Sequence, residues 1–413
     1  MNVWPDVYLP PLDLELPRLT LHTQDGMQGI DPSSHFAMYV CGITPYDATH
    51  LGHAATYLSF DLINRYKRIE GASVGFVENI TDIDEPLLER AQRDSVDWKT
   101  LAHDQIELFK SDMTALHIIP PSHFVPATSV MDLIDKAIAQ MAKNGFVYKV
   151  ENDLYFDISS FIPKLPLPLD EAIEAFAQKG GDPNRPGKRH PLDPVLWWAN
   201  RDGEPGWESS HGFGRPGWHI ECCVIALRYL LGEDYLAHPQ SPYSIDLQGG
   251  GSDLVFPHHF MSAAQGSALL GQPFAHHFVH SGMVGLNGEK MSKSKGNLVF
   301  VSSLLQSGVD PVAIRYALLK EHYQSDRMWT EAALERALAS VEKIRLALSK
   351  EEVSDVNPVI ASVIESLSKN LDTPSALTLV ENWADQTVLG NVAQGSSAGS
   401  LARALDALLG LAF

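Results

Sequence analysis

The chain has 413 residues, which is long enough for two or three domains and a well-buried core. Its 45% apolar content, its lack of a membrane-spanning apolar run and its lack of a signal-peptide pattern argue against a membrane protein, and we expect it to be cytoplasmic. A net charge of −20 opposes binding to nucleic acid, and three cysteines, an odd number, exclude a disulfide framework.

The first predicted elements are a strand and a helix joined by a short turn. Residues 36–41 form an apolar run of strand length, and residues 54–68 place apolar side chains on one helical face. His50 and His53 lie in the turn on either side of Gly52, where the missing side chain lets a ligand approach the backbone. Taken alone, this turn fits two histidines that cap a helix as well as a phosphate site at a helix N-terminus.

Two later strands are predicted to end in polar or glycine-rich segments. Residues 72–78 predict a strand that ends in Asn79–Asp84, and residues 244–248 predict a strand that ends in Gly249–Asp253. Ligands of an open parallel sheet bind at the carboxyl ends of its strands, and three bare glycines let a flat ligand lie against the backbone. Both segments are therefore candidates for ligand binding. Asp82 or Asp84 also fits the cap of a helix, which is compatible with ligand binding.

A lysine-rich loop, Glu289–Asn297, follows the strand-like run 278–284. Such a loop is usually a solvated turn. In an acidic chain that also carries His50 and His53, it indicates a clamp for a polyphosphate.

These elements predict an α/β protein with a parallel sheet, split by an inserted α+β subdomain and followed by a C-terminal helical bundle. From residue 311 onward we predict helices only. The expected boundaries are an N-terminal arm at 1–35, the first half of the sheet at 36–124, the inserted subdomain at 125–214, the second half with the lysine loop at 215–310 and the bundle at 311–413.

The turn and the lysine loop together resemble the two signatures of the class I aminoacyl-tRNA synthetases. The HIGH-type motif lies at His50–His53, and the KMSKS motif lies at Lys290–Ser294. The resemblance implies a Rossmann-like sheet of the HUP type and an ATP-dependent reaction that also uses Mg²⁺. The catalytic residues that it implies are His50, His53, Lys290 and Lys293.

Five further motifs narrow the resemblance to the cysteinyl branch of that class. They are Cys-Gly-x-Thr at Cys41, Asn-Ile-Thr-Asp-Ile-Asp at Asn79, Gly-Trp-His-Ile-Glu-Cys at Gly217, Gly-Gly-Gly-Ser-Asp at Gly249 and Pro-His-His at Pro257. The positions that match adenylate contacts in this branch are Cys41, Gly42, Ile43, Thr44, Thr56, Asn79, Ile80, Thr81, Trp218, Gly251, Ser252, Asp253 and Val284.

By spacing alone, Cys41, Cys222 and His258 are more readily explained as core residues than as metal ligands. In the cysteinyl branch, however, a protein-bound zinc ion recognises the substrate thiol as a thiolate, so the resemblance implies one Zn²⁺ per chain held by these three residues. The glutamate that completes the metal shell in the synthetases is Ser262 here, which leaves the fourth position for the substrate. Two neighbouring side chains stay open as alternative ligands, Cys223 and His259.

The cysteinyl branch activates cysteine with ATP and transfers it to an acceptor, and two features of this sequence bear on which acceptor is used. Residues 331–413 contain 6 basic and 11 acidic residues, and we expect no anticodon-binding module after the predicted helices. Residues 43–54 and 179–183 resemble the cysteine ligases of mycothiol biosynthesis, which transfer cysteine to an amino sugar. This resemblance implies that ATP and L-cysteine form cysteinyl-adenylate, and that the amine of glucosaminyl-inositol (GlcN-Ins) then attacks it to form an amide, with release of AMP and pyrophosphate.

We therefore expect small-molecule substrates, no tRNA or other nucleic acid, no membrane and a monomer. A truncated cysteinyl-tRNA synthetase is the alternative. A non-catalytic nucleotide or thiol sensor is a third hypothesis, and it is disfavoured because the four implied catalytic side chains are all present.

Overall fold

The structure is a computed structural model that describes residues 2–237, 241–291 and 296–413. Its strands are β1 (Thr20–Thr23), β2 (Gly26–Gly29), β3 (His35–Ile43), β4 (Ser73–Ile80), β5 (His123–Pro126), β6 (Val147–Val150), β7 (Asp153–Phe156), β8 (Val195–Ala199), β9 (Gly214–Pro216), β10 (Ile245–Gly251), β11 (Ala275–Ser281), β12 (Val284–Leu286), β13 (Glu289–Lys290) and β14 (Arg327–Trp329). Its helices are α1 (Leu51–Ile69), α2 (Glu85–Asp94), α3 (Trp98–Ala115), α4 (Met131–Lys143), α5 (Leu169–Gln178), α6 (Trp218–Leu231), α7 (Phe260–Leu270), α8 (Val301–Gln306), α9 (Pro311–Leu319), α10 (Glu331–Leu348), α11 (Asn357–Ser368), α12 (Thr373–Val388) and α13 (Ala398–Leu409).

The central element is a five-stranded sheet in the order β11-β10-β3-β4-β5. All of its pairings are parallel, so the carboxyl ends of the strands meet at one edge. A four-stranded antiparallel sheet, β6-β7-β8-β9, lies in the chain between β5 and β10, and the helices α9 to α13 follow the second half. The predicted fold class is confirmed.

Side chains along β3 alternate between the two faces of the central sheet. Met38 and Val40 pack into the core that includes α1, whereas Tyr39 and Cys41 pack into the core that includes α6 and α7. This period of two places Cys41 on the same face of the sheet as Cys222 of α6.

The prediction that only helices follow residue 311 is wrong, because β14 pairs in parallel with β12 and completes a small three-stranded sheet, β13-β12-β14. The predicted N-terminal arm likewise contains the hairpin β1-β2. Strands of three or four residues carry too little periodicity to be recognised, and their pairing partners lie elsewhere in the chain.

The three glycines at 249–251 were predicted to follow a strand, but they belong to β10 and pair with β11. A Cβ atom at Gly249 would lie 2.2 Å from the ring of Phe60, so this glycine lets α1 pack closely on the sheet. Among the described residues, no helix is both long and apolar enough to cross a bilayer.

Candidate active site

A cavity of about 380 Å³ lies at the carboxyl ends of β3, β4 and β10 and at the N-terminus of α1. This is the sheet edge at which the sequence predicts ligand binding. The predicted site residues that line it are Cys41, Gly42, Thr44, His50, His53, Thr56, Asn79, Thr81, Trp218, Cys222, Gly251, Asp253 and His258.

Four of the predicted adenylate positions do not line this cavity. Ile43 and Ile80 are buried in the core behind it, and Ser252 is exposed. Val284 lines a second cavity. Of the two lysines, Lys290 ends β13, and Lys293 lies outside the described residues.

His50 forms the N-cap of α1. Its Nδ1 atom accepts a hydrogen bond from the backbone N–H of Gly52 at 3.0 Å. Because burial lowers the pKa of His50, the ring is neutral at pH 7 and carries its proton on Nε2, the nitrogen that is left to donate. A Cβ atom at Gly52 would lie 2.7 Å from the His50 ring, so a side chain here would displace the ring from its capping position. The capping role and the ligand-binding role are therefore compatible in one side chain.

His53 lies one turn further along α1 and stacks on His50, with ring centroids 3.9 Å apart. Burial, and to a smaller extent the neighbouring His50, lowers the pKa of His53 to about 3. Both rings are therefore neutral at physiological pH. A neutral imidazole can donate one hydrogen bond and carries no charge.

Asn79 holds the ends of β3 and β4 together. Its Oδ1 atom accepts hydrogen bonds from the Tyr39 hydroxyl at 2.9 Å and from the backbone N–H of Gly42 at 2.8 Å, and its Nδ2 atom donates to Thr81 at 3.0 Å. A Cβ atom at Gly42 would lie 1.8 Å from the carbonyl oxygen of Asn79, so only glycine permits this approach. Asn79 therefore uses most of its hydrogen bonds to hold the cavity wall in place.

Cys41, Cys222 and His258 form a buried cluster in the cavity wall, with ligand atoms all within 4.8 Å of one another. The Nε2 atom of His258 lies 3.2 Å from the Cys222 sulfur. Trp218 stacks on the His258 ring with centroids 3.8 Å apart and also lines the cavity. Two thiols and an imidazole are the donor set that Zn²⁺ prefers, so the residues present fit this metal.

A second layer of histidines orients the cluster. His219 Nδ1 lies 2.9 Å from His258 Nδ1, which leaves the Nε2 atom of His258 for the ligand position. His259 bridges Cys41, at 3.2 Å, and His280, at 2.7 Å. The sequence motifs contain His219 and His259, and His280 lies in the strand-like run 278–284, but only the folded geometry identifies their contacts.

Ser262 and Cys223 have other contacts. The Ser262 hydroxyl donates to the backbone carbonyl of His219 at 3.2 Å. Cys223 of α6 is buried in the hydrophobic core, and this burial raises the pKa of its thiol. Among the described residues, Cys223 is not part of the cluster formed by Cys41, Cys222 and His258.

Tyr46 and Asp47 line the cavity without having been predicted as site residues. Arg90 of α2 fixes both, because its Nη1 atom donates to the Tyr46 carbonyl at 2.6 Å and to the Asp47 carboxylate at 2.7 Å. Both residues lie inside the signature turn, which is the signal that could have found them. The remaining unpredicted lining residues are Gly52, Tyr57, Leu254, Met283, Met291 and Leu298.

Residues 30–339 match the family model described as the tRNA synthetases class I (C) catalytic domain. Along its whole length, the chain is similar to proteins named L-cysteine:1D-myo-inositol 2-amino-2-deoxy-alpha-D-glucopyranoside ligase. The relative from Gordonia bronchialis is 47% identical over 100% of this chain and 99% of its own, and the relative from Thermomonospora curvata is 48% identical over 100% of both chains.

Solved structures share the fold at low sequence identity. The methionyl-tRNA synthetase of Mycobacterium tuberculosis, in complex with methionyl-adenylate, has a TM-score of 0.62 and 17% identity, and the match covers 92% of this chain and 89% of that one. A LeuRS–tRNA–LeuAMS ternary complex from Agrobacterium radiobacter has a TM-score of 0.65 and 12% identity, covering 92% and 84%.

Proposed function

The chain belongs to the family of L-cysteine:1D-myo-inositol 2-amino-2-deoxy-alpha-D-glucopyranoside ligases and carries a class I synthetase catalytic domain, and we propose from this premise that it joins L-cysteine to GlcN-Ins. The carboxylate of cysteine attacks the α-phosphorus of ATP and pyrophosphate leaves. The amine of GlcN-Ins then attacks the cysteinyl carbonyl, loses a proton, and AMP leaves. The observation that carries the proposal is that the thiol–imidazole cluster and the His50–His53 turn share one cavity.

In this proposal, the start of α1 binds the phosphates of ATP. The backbone N–H groups of the first turn and the positive end of the helix dipole favour an anion there, and the Nε2–H group of His50 adds a neutral donor. Lys290 and Lys293 neutralise the charge that develops as pyrophosphate departs, together with Mg²⁺ carried by the nucleotide. Since the two histidines are neutral, positive charge has to come from these lysines and the metal ion.

Cys41, Cys222 and His258 would hold a zinc ion, which when bound supplies an open coordination position that prefers a thiolate over a hydroxyl. Trp218 and His219 fix the orientation of the His258 ring from two sides. The Ser262 hydroxyl donates its proton to the backbone carbonyl of His219, and a serine hydroxyl is not among the ligands that zinc usually takes. Three protein ligands leave the fourth position for the substrate.

A cysteinyl-tRNA synthetase activity is the alternative, and charge disfavours it. The whole chain has a net charge of −20, and a tRNA acceptor requires several Lys or Arg contacts with phosphates. Absence of tRNA binding, a monomeric state and the domain boundaries given above remain predictions. Residence in the cytoplasm is part of the proposal, because the proposed thiol ligands stay reduced there.

The test is a reaction of the purified chain with ATP, Mg²⁺, L-cysteine and GlcN-Ins, followed by mass spectrometry. We expect AMP, pyrophosphate and a cysteinyl amide in equal amounts. L-serine in place of L-cysteine is the matched control and should give no amide. AMP formation without an amide product, or equal use of serine, would refute the proposal.

A further inference from the structure

A lysine of the inserted subdomain reaches the segment that joins β10 to α7. Lys179 follows α5, and its Nζ atom donates to the backbone carbonyl of Asp253 and, at 3.0 Å, to that of Phe256. This lysine begins the stretch 179–183, whose resemblance to the mycothiol ligases the proposed reaction leaves unexplained. Lys179 lies outside the described lining of the catalytic cavity, so any effect on the reaction has to pass through the segment that it contacts.

The 253–258 segment carries side chains of both parts of the proposed site. Asp253 lines the catalytic cavity and is one of the positions matched to adenylate contacts. His258 lines the same cavity and belongs to the thiol–imidazole cluster. Because the two residues are only five positions apart, the placement of this one segment sets how the nucleotide side and the thiol side of the cavity face each other.

The segment is not a regular helix. It consists of two short turns, Ser252–Leu254 and Val255–His259, and Phe256 has extended backbone angles within the second turn, with φ −140° and ψ 138°. A break in helical geometry takes carbonyl groups out of the regular hydrogen-bond ladder, and such groups then accept hydrogen bonds from side chains or water. Lys179 supplies one charged donor to the carbonyl of Asp253, before the kink, and to that of Phe256, at the kink.

The loop that carries Lys179 is itself held in place. A Cβ atom at Gly181 would lie 2.5 Å from the ring of Phe176, a buried residue of α5, and the backbone N–H of Gly181 donates to the Phe176 carbonyl at 2.9 Å. The Asp182 carboxylate accepts a hydrogen bond from the hydroxyl of Tyr155 in β7. These contacts attach the loop to α5 and to the four-stranded sheet, so Lys179 extends from a fixed base.

We propose that Lys179 is a positioning residue for the ligase reaction, which holds the 253–258 segment through the carbonyls of Asp253 and Phe256 and thereby aligns the two sides of the catalytic cavity. This inference rests on the proposed function and gives the inserted subdomain a part in it. When only a fraction of the molecules holds the binding-competent arrangement, the apparent dissociation constant rises in inverse proportion to that fraction. Since one segment serves both sides of the cavity, loosening it should weaken the binding of cysteine and of ATP by the same factor.

The test is isothermal titration of the purified full chain, supplied with Zn²⁺ and Mg²⁺, with L-cysteine and separately with α,β-methylene-ATP, an analogue that cannot release pyrophosphate. Lys179→Met removes the ammonium group and keeps an unbranched apolar chain. Lys149→Met is the matched control, since Lys149 is an exposed lysine of β6 in the same subdomain. We expect Lys179→Met to raise the dissociation constants of both ligands by about tenfold, a loss typical of a charge-assisted hydrogen bond. The control should bind like wild type, and Lys179→Arg, which keeps a charged donor, should recover most of the loss.

Four results would overturn the proposal. They are no binding by wild type, unchanged binding of both ligands by Lys179→Met, a loss confined to one of the two ligands, and fewer binding sites per chain at unchanged dissociation constants. The third would mean that Lys179 does not act through the shared segment, and the fourth that it only maintains the fold. Failure of the ligase function itself is recognised separately, because wild type would then bind both ligands in these titrations and still form no cysteinyl amide with GlcN-Ins.

Discussion

Replacing Asp61 by alanine is expected to destabilise the chain by about 3–5 kcal/mol, the range observed when one partner of a buried ion pair is removed. Asp61 lies on α1, the helix that starts at the signature turn, and its side chain is 0% exposed. It accepts hydrogen bonds from Arg65 at 2.7 Å, from the backbone N–H of Ile119 at 2.9 Å and from Arg315 of α9. Without this carboxylate, two buried guanidinium groups lose the anion with which both of them pair.

The same cluster ties the C-terminal helix to the sheet domain. Arg65 donates to the carbonyl of Asp406, at the end of α13, and Arg315 donates to the carbonyl of Leu409 at 2.7 Å. Loss of Asp61 should therefore loosen α13 as well as α1. A cost of this size is a large share of a typical total stability of about 5–15 kcal/mol.

The assay is urea unfolding followed by circular dichroism, with Glu365→Ala as the control. Glu365 pairs with Lys369 at 2.6 Å, but both side chains are more than half exposed, so its removal should cost less than about 1 kcal/mol. If Asp61→Ala shifted the free energy of unfolding by no more than Glu365→Ala, the buried pairs would not contribute as inferred.

Three further predictions concern the metal, the pH dependence of stability and the lysine loop. Cys222→Ser should lower the zinc content of purified protein from one per chain to near zero, whereas Cys223→Ser should retain zinc, because only Cys222 belongs to the ligand cluster. Burial raises the pKa of Asp112 to about 7, above about 4 in an unfolded chain, so folding stability should fall as pH rises from about 4 to 7. Asp112→Asn should remove this dependence. The urea midpoint of the variant should therefore exceed that of wild type by more at pH 8 than at pH 5. From the sequence, Lys293→Ala should depress cysteine-dependent pyrophosphate exchange far more than cysteine binding, because its charge interaction grows toward the transition state.

Each of these predictions has a contradicting result. Loss of zinc from Cys223→Ser and not from Cys222→Ser would reassign the ligands. A midpoint difference for Asp112→Asn that did not change with pH would mean that this carboxyl does not titrate in the expected window. Equal losses of exchange and binding in Lys293→Ala would mean that the loop acts only on the ground state.

The sequence predicted long periodic elements well because their signal is local. The sequence pattern predicts helices at 331–348 and 357–368, and α10 and α11 have these same bounds. The motifs that carry Cys41, Asn79 and Gly251 were expected to converge, because parallel strands bring their carboxyl ends to one edge of a sheet. Local patterns combined with one topological rule were sufficient to predict the position of the cavity.

What the sequence could not predict depends on contacts between distant segments. The three residues of β14 form a strand only because β12 lies beside them, and no periodicity marks them. The His219–His258 contact depends on how α6 packs against the segment before α7. The periodicity of a single helix cannot predict such a contact. Arg327 lies on β14 and is buried, and this burial became visible only in the folded chain.

The most direct test of the proposed ligase is a competition between the two acceptors. The full chain receives ATP, Mg²⁺ and radiolabelled L-cysteine together with GlcN-Ins and cysteine-specific tRNA at equal concentrations, and the two products are separated and counted. Cysteinyl amide should form while labelled tRNA stays at background, and raising the salt concentration should change the rate only weakly, because no row of phosphates is neutralised. Labelled tRNA formed at a rate comparable with the amide, with a steep dependence on salt, would contradict the account.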